Sequence, residues 1–339
     1  MSTHWAEPGC YPVADGIHRI PLQLPQDGLR AVNVYALETS TGLVLIDGGW
    51  HRPDTYRELA AGLALIGHSP ADIHDVLVTH IHRDHYTFAV ELRRRHGSRV
   101  HLGAGESAGL HAIRELGNNV PDSSLRELRR AGAAGLADRV HADSIDEPFD
   151  PTDWEAPDRW LRPGALTLGG HTLEILPTPG HTKGHLVFRD PARRLLFTGD
   201  HLLPTITPSI GFELGTWELP LDNFLRSLTL LGDADEQTML PAHGPDGGSA
   251  GGRARELLAH HERRFDQIRS AVIDLAPCTG FDVARALTWT RRERAFSSLD
   301  TFNQMVATCE TLAHLDVLVA RSCLAAEDHD GVDFFTLCR

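Results

Sequence analysis

Hydrophobic and polar positions in the first half of the chain fall into short runs that alternate or stay apolar throughout. Residues 17–24, 32–38 and 43–47 have this character and predict strands. Asp47-Gly48-Gly49 supplies the turn that ends the third run. The period then lengthens. From about Asp54 to Ile66, Leu59, Leu63 and Ile66 share one face of a predicted helix. Val76-Leu77-Val78 reads as a further buried strand, and 86–96 as an Arg-rich amphipathic helix. A second set of strands begins near Leu166 and takes in 171–176, 185–189 and 194–198. Two strand-rich halves flanked by helices predict a mixed α/β chain built as an αββα sandwich.

Between the halves the pattern predicts an insertion over about 106–160. Its first part, 106–137, is helical, and an acidic loop with aromatic residues follows over 143–160. In that loop Phe149, Trp154 and Trp160 either line a substrate pocket or pin a long loop to the surface. The glycine-rich stretch 247–252 marks a change to mostly helical sequence, and 317–338 reads as two strands joined at Asp330-Gly331. Helices followed by a terminal hairpin are the layout of a winged helix. The pattern therefore predicts a catalytic domain over 1–246 and a winged-helix-like domain over 253–339. Residues 281–339 carry six arginines against nine acidic residues, a poor balance for reading DNA. This domain is expected to serve packing or dimerisation, and a homodimer is left open.

Composition narrows the function more than the fold. Of the residues 41% are hydrophobic and 23% charged, ordinary for a globular protein, and the net charge of −14 argues against a broad nucleic-acid-binding face. Lys183 is the only lysine, which suggests a bacterial coding bias. Cys10, Cys278, Cys309, Cys323 and Cys338 show no C-x-x-C spacing and fit reduced thiols in a cytoplasmic protein. No secretory pattern or membrane-length apolar run is present, so a cytoplasmic location without membrane partners is expected.

The chemistry concentrates in Thr79-His80-Ile81-His82-Arg83-Asp84-His85, directly after a buried strand and before a helix. In an extended segment His80 and His82 project to the same side, and Asp84 and His85 follow at the mouth of the helix. Neutral imidazole and carboxylate are natural zinc ligands. His181 in Pro-Thr-Pro-Gly-His, Asp200 in Phe-Thr-Gly-Asp and His243 in Pro-Ala-His-Gly follow other predicted strands. A rigid sheet can hold such loop residues in place.

This ordered set, from Asp47 through 80–85 to His181, Asp200 and His243, resembles the metallo-β-lactamase superfamily over roughly the first 245 residues. The resemblance implies two zinc ions, with iron or manganese as alternatives. It assigns His80, His82 and His181 to the first ion and Asp84, His85 and His243 to the second. Asp200 would bridge the pair, and Asp47 would orient a ligand from behind. A hydroxide held between the ions would attack a carbonyl, with Asp84 orienting it and taking its proton. Tyr86 either reaches the substrate oxygen or caps the following helix.

An aspartate at the bridging position resembles the thioesterases, lactonases and nucleases of the superfamily rather than dedicated β-lactamases. The 43 positions from Asp200 to His243 leave no room for the insertion of its nucleic-acid-processing branch. Gly199-Asp200-His201-Leu202-Leu203, Thr205-Ile206-Thr207-Pro208 and the winged-helix layout resemble the branch called β-lactamase-like protein 2. That branch includes a single-strand endoribonuclease and polyketide-releasing thioesterases. The leading expectation is hydrolysis of a small-molecule thioester, lactone or ester. An endoribonuclease is the alternative, with Arg93-Arg94-Arg95 as its best local basic track. A winged-helix regulator and an iron persulfide dioxygenase rank behind both.

Overall fold

The computed structural model describes residues 5–25, 28–145, 149–210, 218–234 and 236–338. Seven strands pair in sequence order into one sheet. They are β1 (Tyr11–Ala14), β2 (Ile17–Gln23), β3 (Ala31–Thr39), β4 (Gly42–Ile46), β5 (Ile73–Leu77), β6 (Arg99–Gly103) and β7 (Arg159–Leu161). β1 to β4 run antiparallel, and β4 to β7 run parallel. The second sheet holds β8 (Gly164–Leu168), β9 (His171–Pro177), β10 (Leu186–Asp190), β11 (Leu195–Gly199) and β12 (Thr238–Pro241), in the order β12-β11-β10-β9-β8. Only β11 and β12 pair in parallel there.

The two-residue period of β3 divides its side chains between two cores. Val32, Val34 and Ala36 join the helix-side cluster, with Leu59 and Leu63 of α1 (Thr55–Ala64) and Phe88, Ala89 and Leu92 of α2 (Arg83–His96). Tyr35 and Leu37 face the other way, into a cluster shared with Phe188, Phe197 and Leu240 of the second sheet. Phe188 and Phe197 are fully buried and are paired residues of β10 and β11. Burying one such side chain stabilises the fold by roughly 1.5–3 kcal/mol. Val187, Leu196 and Met239 on the opposite face of the second sheet are buried as well, so that face is also covered. The predicted sandwich is the observed fold.

The helical insertion groups differently from the expected division at 246/253. Chain contacts separate one unit of residues 1–114, 151–208 and 227–255 from a second of 115–150, 209–226 and 256–339. α3 (Ser107–Arg114) stays with the sheets. α4 (Asp122–Arg130) and α5 (Ala134–Ser144) belong to the second unit and pack against α9 (Thr301–Ala320). Two of the boundaries fall within α6 (Pro220–Gly232) and α7 (Ala250–Leu275).

The reason for the regrouping is Arg130. Its guanidinium meets Asp316 of α9 at 2.6 Å, Asp333 at 2.8 Å and Glu127 at 2.9 Å. Such a network joins three distant segments without any short-range sequence signal. The rest of the second unit is α8 (Gly280–Ala286) and three antiparallel strands, β13 (Cys278–Thr279), β16 (Leu324–His329) and β17 (Val332–Leu337). β14 (Thr288–Trp289) and β15 (Arg294–Ala295) form a separate pair. The turn between β16 and β17 lies at Asp330 and Gly331, both with positive φ, which suits a two-residue hairpin loop.

Among the described residues every cysteine is free, and burial pushes the Cys309 thiol up to about 12. No helix of the described residues is long and apolar enough to cross a membrane.

Candidate metal centre

The histidines and aspartates singled out in the sequence follow the C-terminal ends of β4, β5, β9, β11 and β12. Asp47 leaves β4, residues 79–85 leave β5, His181 leaves β9, Asp200 leaves β11 and His243 leaves β12. The chain beyond β5 makes one extended step and then enters α2 with His82 as its N-cap. The helix begins earlier than the expected residue 86, so Asp84 and His85 lie in its first turn. An acidic first turn and the basic last turn of Arg93, Arg94, Arg95 and His96 both complement the helix dipole.

Seven of these side chains converge. His82 Nδ1 stands 3.0 Å from His80 Nε2 and 3.0 Å from His181 Nε2. His243 Nε2 stands 3.3 Å from Asp84 Oδ2, and His85 Nε2 lies 3.7 Å from the same oxygen. Asp200 divides its carboxylate between the two clusters. Its Oδ2 is 3.6 Å from His181 Nε2, while Oδ1 is 3.6 Å from His85 Nε2 and 3.3 Å from His243 Nε2.

Two observations test whether these groups suit metal ions. Donor atoms bound at about 2.1 Å around one tetrahedral zinc stand roughly 3.4 Å apart, and the separations above scatter around that value. In addition, His85 Nε2, His243 Nε2 and Asp200 Oδ1 are buried without a hydrogen-bond partner, although they face one another. Buried polar atoms left so cost about 1–3 kcal/mol each, so three aimed at one point need a common occupant. The groups His80/His82/His181, His80/His85/Asp200 and Asp84/His85/His243 each bring donor atoms within 4.8 Å of one another. The donor set fits divalent cations.

Groups behind the centre fix each ring. Asp47 Oδ2 accepts from His85 Nδ1 at 3.0 Å, and its Oδ1 accepts from the backbone N–H of Thr79 at 2.8 Å. His243 Nδ1 donates to the Ala31 carbonyl at 2.8 Å. In both rings one proton is thereby held on Nδ1, and Nε2 is the atom that faces inward.

Electrostatics divides the cluster. Burial, reinforced by the neighbouring rings, holds His80 well below the usual imidazole range and His82 down to about 3. At His85 burial works the other way from the surrounding carboxylates Asp84, Asp47 and Asp200, which prevail and raise it to about 10. Burial is likewise outweighed at His243, which Asp200 and Asp84 raise, and at Asp84, which His85 and His243 hold far below the carboxylate range. One side offers neutral imidazoles, while the other is acidic enough to keep protons that a cation would replace.

His185 is a residue that sequence reasoning missed. It is buried, its Nε2 accepts the backbone N–H of Asp200 at 3.2 Å, and its Nδ1 meets Thr178 Oγ1 at 2.9 Å. It also stacks beside His80 with ring centres 5.0 Å apart. The available signal was the repeated histidine in Gly180-His-Thr-Lys-Gly-His185. Gly199, just before Asp200, has φ of 50°, and a Cβ there would lie 2.7 Å from Thr79 Oγ1 and 2.8 Å from His185 Nε2. Only glycine allows this close approach.

Tyr86 needs correction. Its ring is fully buried in the helix-side core, and its hydroxyl donates to the Glu155 carbonyl at 2.5 Å. It lies within α2 rather than at its cap, and its position on the helix turns the ring inward. Trp154 and Trp160 pack against the same core, and Trp154 Nε1 donates to the Ile81 carbonyl at 3.3 Å. They pin the loop, the plainer of the two expectations; Phe149 belongs to the second unit and 146–148 lie outside the described residues.

Residues 27–259 match the family model of the metallo-β-lactamase superfamily. The chain belongs to that superfamily. A metallo-β-lactamase family protein from Thermus thermophilus is 27% identical and superposes with a TM-score of 0.77 over 96% of this chain and all (100%) of its own. The probable metallo-hydrolase YqjP of Bacillus subtilis is 24% identical over 84% of this chain and 86% of its own length. The β-lactamase-like protein 2 homolog of Caenorhabditis elegans is 22% identical over 75% of this chain and 70% of its own. This member of the superfamily is a metal-dependent hydrolase.

Proposed function

We propose that this superfamily member is a dinuclear zinc hydrolase of small acyl substrates, a thioester before a lactone or ester. The observation that carries the reading is the divided carboxylate of Asp200, one oxygen toward His181 and the other toward His85 and His243. His80, His82 and His181 would hold one ion, and Asp84, His85 and His243 the other, with Asp200 between them. Such a pair lowers the pKa of water and stabilises negative charge on a reacting oxygen. Iron or manganese would suit the same donors less specifically.

Asp84 would orient the attacking water and receive its proton. Its place among His85 and His243 keeps it ionised, and it is half-buried rather than enclosed. His185 and Thr178 would hold Asp200 from behind through its backbone N–H. A hydroxyacylglutathione hydrolase GloC of Haemophilus influenzae, 29% identical over 47% of this chain and 63% of its own length, favours the thioester.

The endoribonuclease reading loses its best basic track. Arg93 and Arg94 pair with Glu155 at 2.6 and 2.7 Å, and Arg95 pairs with Glu91 at 2.5 Å. The order α7–β13–α8–α9 followed by the β16–β17 hairpin, with the β14–β15 pair between α8 and α9, supports a winged-helix layout for the C-terminal part, read here as a packing or dimerisation module. The experiment is initial-rate hydrolysis of thioesters, lactones and single-stranded RNA by the zinc-loaded protein, with Asp84→Asn as control. Metal-dependent thioester or lactone turnover that Asp84→Asn abolishes is expected. RNA cleavage lost in the same variant, with acyl substrates untouched, would overturn the proposal.

A further inference from the structure

Most of the centre is closed off: His80, His85, His181, Asp200 and His243 are buried, whereas His82 and Asp84 retain partial exposure. The residue between those two is Arg83, and it is exposed. Neighbouring Cα atoms are about 3.8 Å apart, so Arg83 leaves the chain between two of the residues that converge on the centre. Its guanidinium carbon lies 4.1 Å from the centre of the Trp50 ring. Among the described residues no carboxylate pairs with it, whereas Arg93, Arg94 and Arg95 of the same helix are all paired.

The indole beneath it is held in place. Gly48 N–H donates to the His85 carbonyl at 2.8 Å, and Phe88 N–H donates to the Gly49 carbonyl at 3.0 Å. His51 N–H donates to Thr87 Oγ1 at 2.8 Å, and that hydroxyl donates to the Arg83 carbonyl at 2.6 Å. These bonds lock residues 48–51 onto the first turn of α2. The guanidinium of Arg52 approaches the same ring at 5.9 Å, adding a second positive charge. A guanidinium stacked on an aromatic face keeps its N–H edge available for a planar, bidentate contact with an oxyanion. Stacking also limits its rotamers, so less entropy is lost when an anion binds.

The geometry points to Arg83, seated on Trp50, as the anchor for an oxyanion group, carboxylate or phosphate, carried by the substrate at a distance from the scissile bond. This inference rests on the acyl-hydrolase reading and narrows its substrate class to acyl compounds with an anionic portion.

The test compares zinc-loaded wild type with Arg83→Gln and Arg83→Lys on thioesters that differ only in a carboxylate, a phosphate or a neutral amide at one place. Wild type is expected to prefer the charged members. Arg83→Gln should lower the charged-to-neutral ratio of kcat/KM about tenfold or more, mainly through KM, with zinc content equal to wild type. Arg83→Lys should recover part of the preference, since a point charge replaces a fork. A loss for carboxylate alone or phosphate alone tells which oxyanion is read. An unchanged ratio in Arg83→Gln would overturn the inference.

Should wild type turn over no thioester, the acyl-hydrolase reading fails and a binding measurement decides this one separately. Titration of the zinc-loaded protein with acetate and with inorganic phosphate, followed by tryptophan fluorescence, should give a saturable change. Arg83→Gln should lose it. No saturable change in wild type, or the same change in the variant, would sink the anchor.

Discussion

Replacing Asp47 by asparagine changes one atom and retains the shape of the side chain. Asparagine also tolerates the φ of 62° found there, so the backbone need not move. The hydrogen bonds cannot all survive. Asp47 now accepts from His85 Nδ1 on one oxygen and from the Thr79 N–H and hydroxyl on the other. If the new amide turns its oxygen toward Thr79, its NH₂ confronts the Nδ1–H of His85. That ring must then move its proton to Nε2, the atom that faces Asp84, Asp200 and His243. If the amide turns the other way, its NH₂ opposes the Thr79 N–H in a buried site, which costs about 1–3 kcal/mol. Either outcome should weaken metal binding at the His85 side by about 10–100-fold, equivalent to roughly 1.4–2.7 kcal/mol. The assay is competition against a chelator of known affinity, with metal content counted at each step. Asp47→Asn should lose one ion per chain well before the other. Two ions retained with wild-type affinities would refute the reasoning, as would equal weakening of both.

Metal uptake should release protons. The carboxylates raise His85 to about 10, so at pH 7 its ring carries a proton that a cation must displace. Apparent affinity should therefore rise with pH by about tenfold per unit for each displaced proton, up to the pKa of that group. Calorimetry in buffers of different ionisation enthalpy measures the release, and a value of zero at pH 7 would contradict the assignment. Gly199→Ala should lower both Tm and metal affinity, because the new methyl meets Thr79 and His185 at under 3 Å; an unchanged Tm would show that the close approach is not needed. Tyr86→Phe should cost about 0.5–1.5 kcal/mol in denaturant unfolding, with zinc content and kcat retained. A collapse of kcat with stability intact would restore a catalytic role for its hydroxyl.

The sandwich was legible because its two halves have clear strand periods, and the convergence of the candidate ligands because each follows a strand end. Adjacent residues are easy to read when backbone geometry alone aims them, as at His80, His82, Asp84 and His85. Residues defined by distant partners were not legible. The role of His185 depends on the backbone N–H of Asp200, 15 positions away. Arg130 ties α4 to Asp316 and Asp333, 186 and 203 positions on, and so draws the inserted helices into the second unit. Tyr86 was misread for a related reason. Nothing in the sequence fixes which face of the first turn of α2 meets the core, until Glu155 supplies an acceptor there.

The chain passes from the first sheet to the second across Arg162 and Pro163, both exposed, between the end of β7 and the start of β8. His80, His82, Asp84 and His85 precede this crossing, and His181, Asp200 and His243 follow it. A chain cut there would yield two fragments, neither of which owns all the residues proposed for either ion. The second unit is divided by the same cut, with 115–150 in one fragment and 256–338 in the other. Cations that bind only the assembled form would favour reassembly by mass action. Co-expressed halves should therefore report metal availability as recovered activity, which makes this crossing the natural place to split the protein into a two-part sensor.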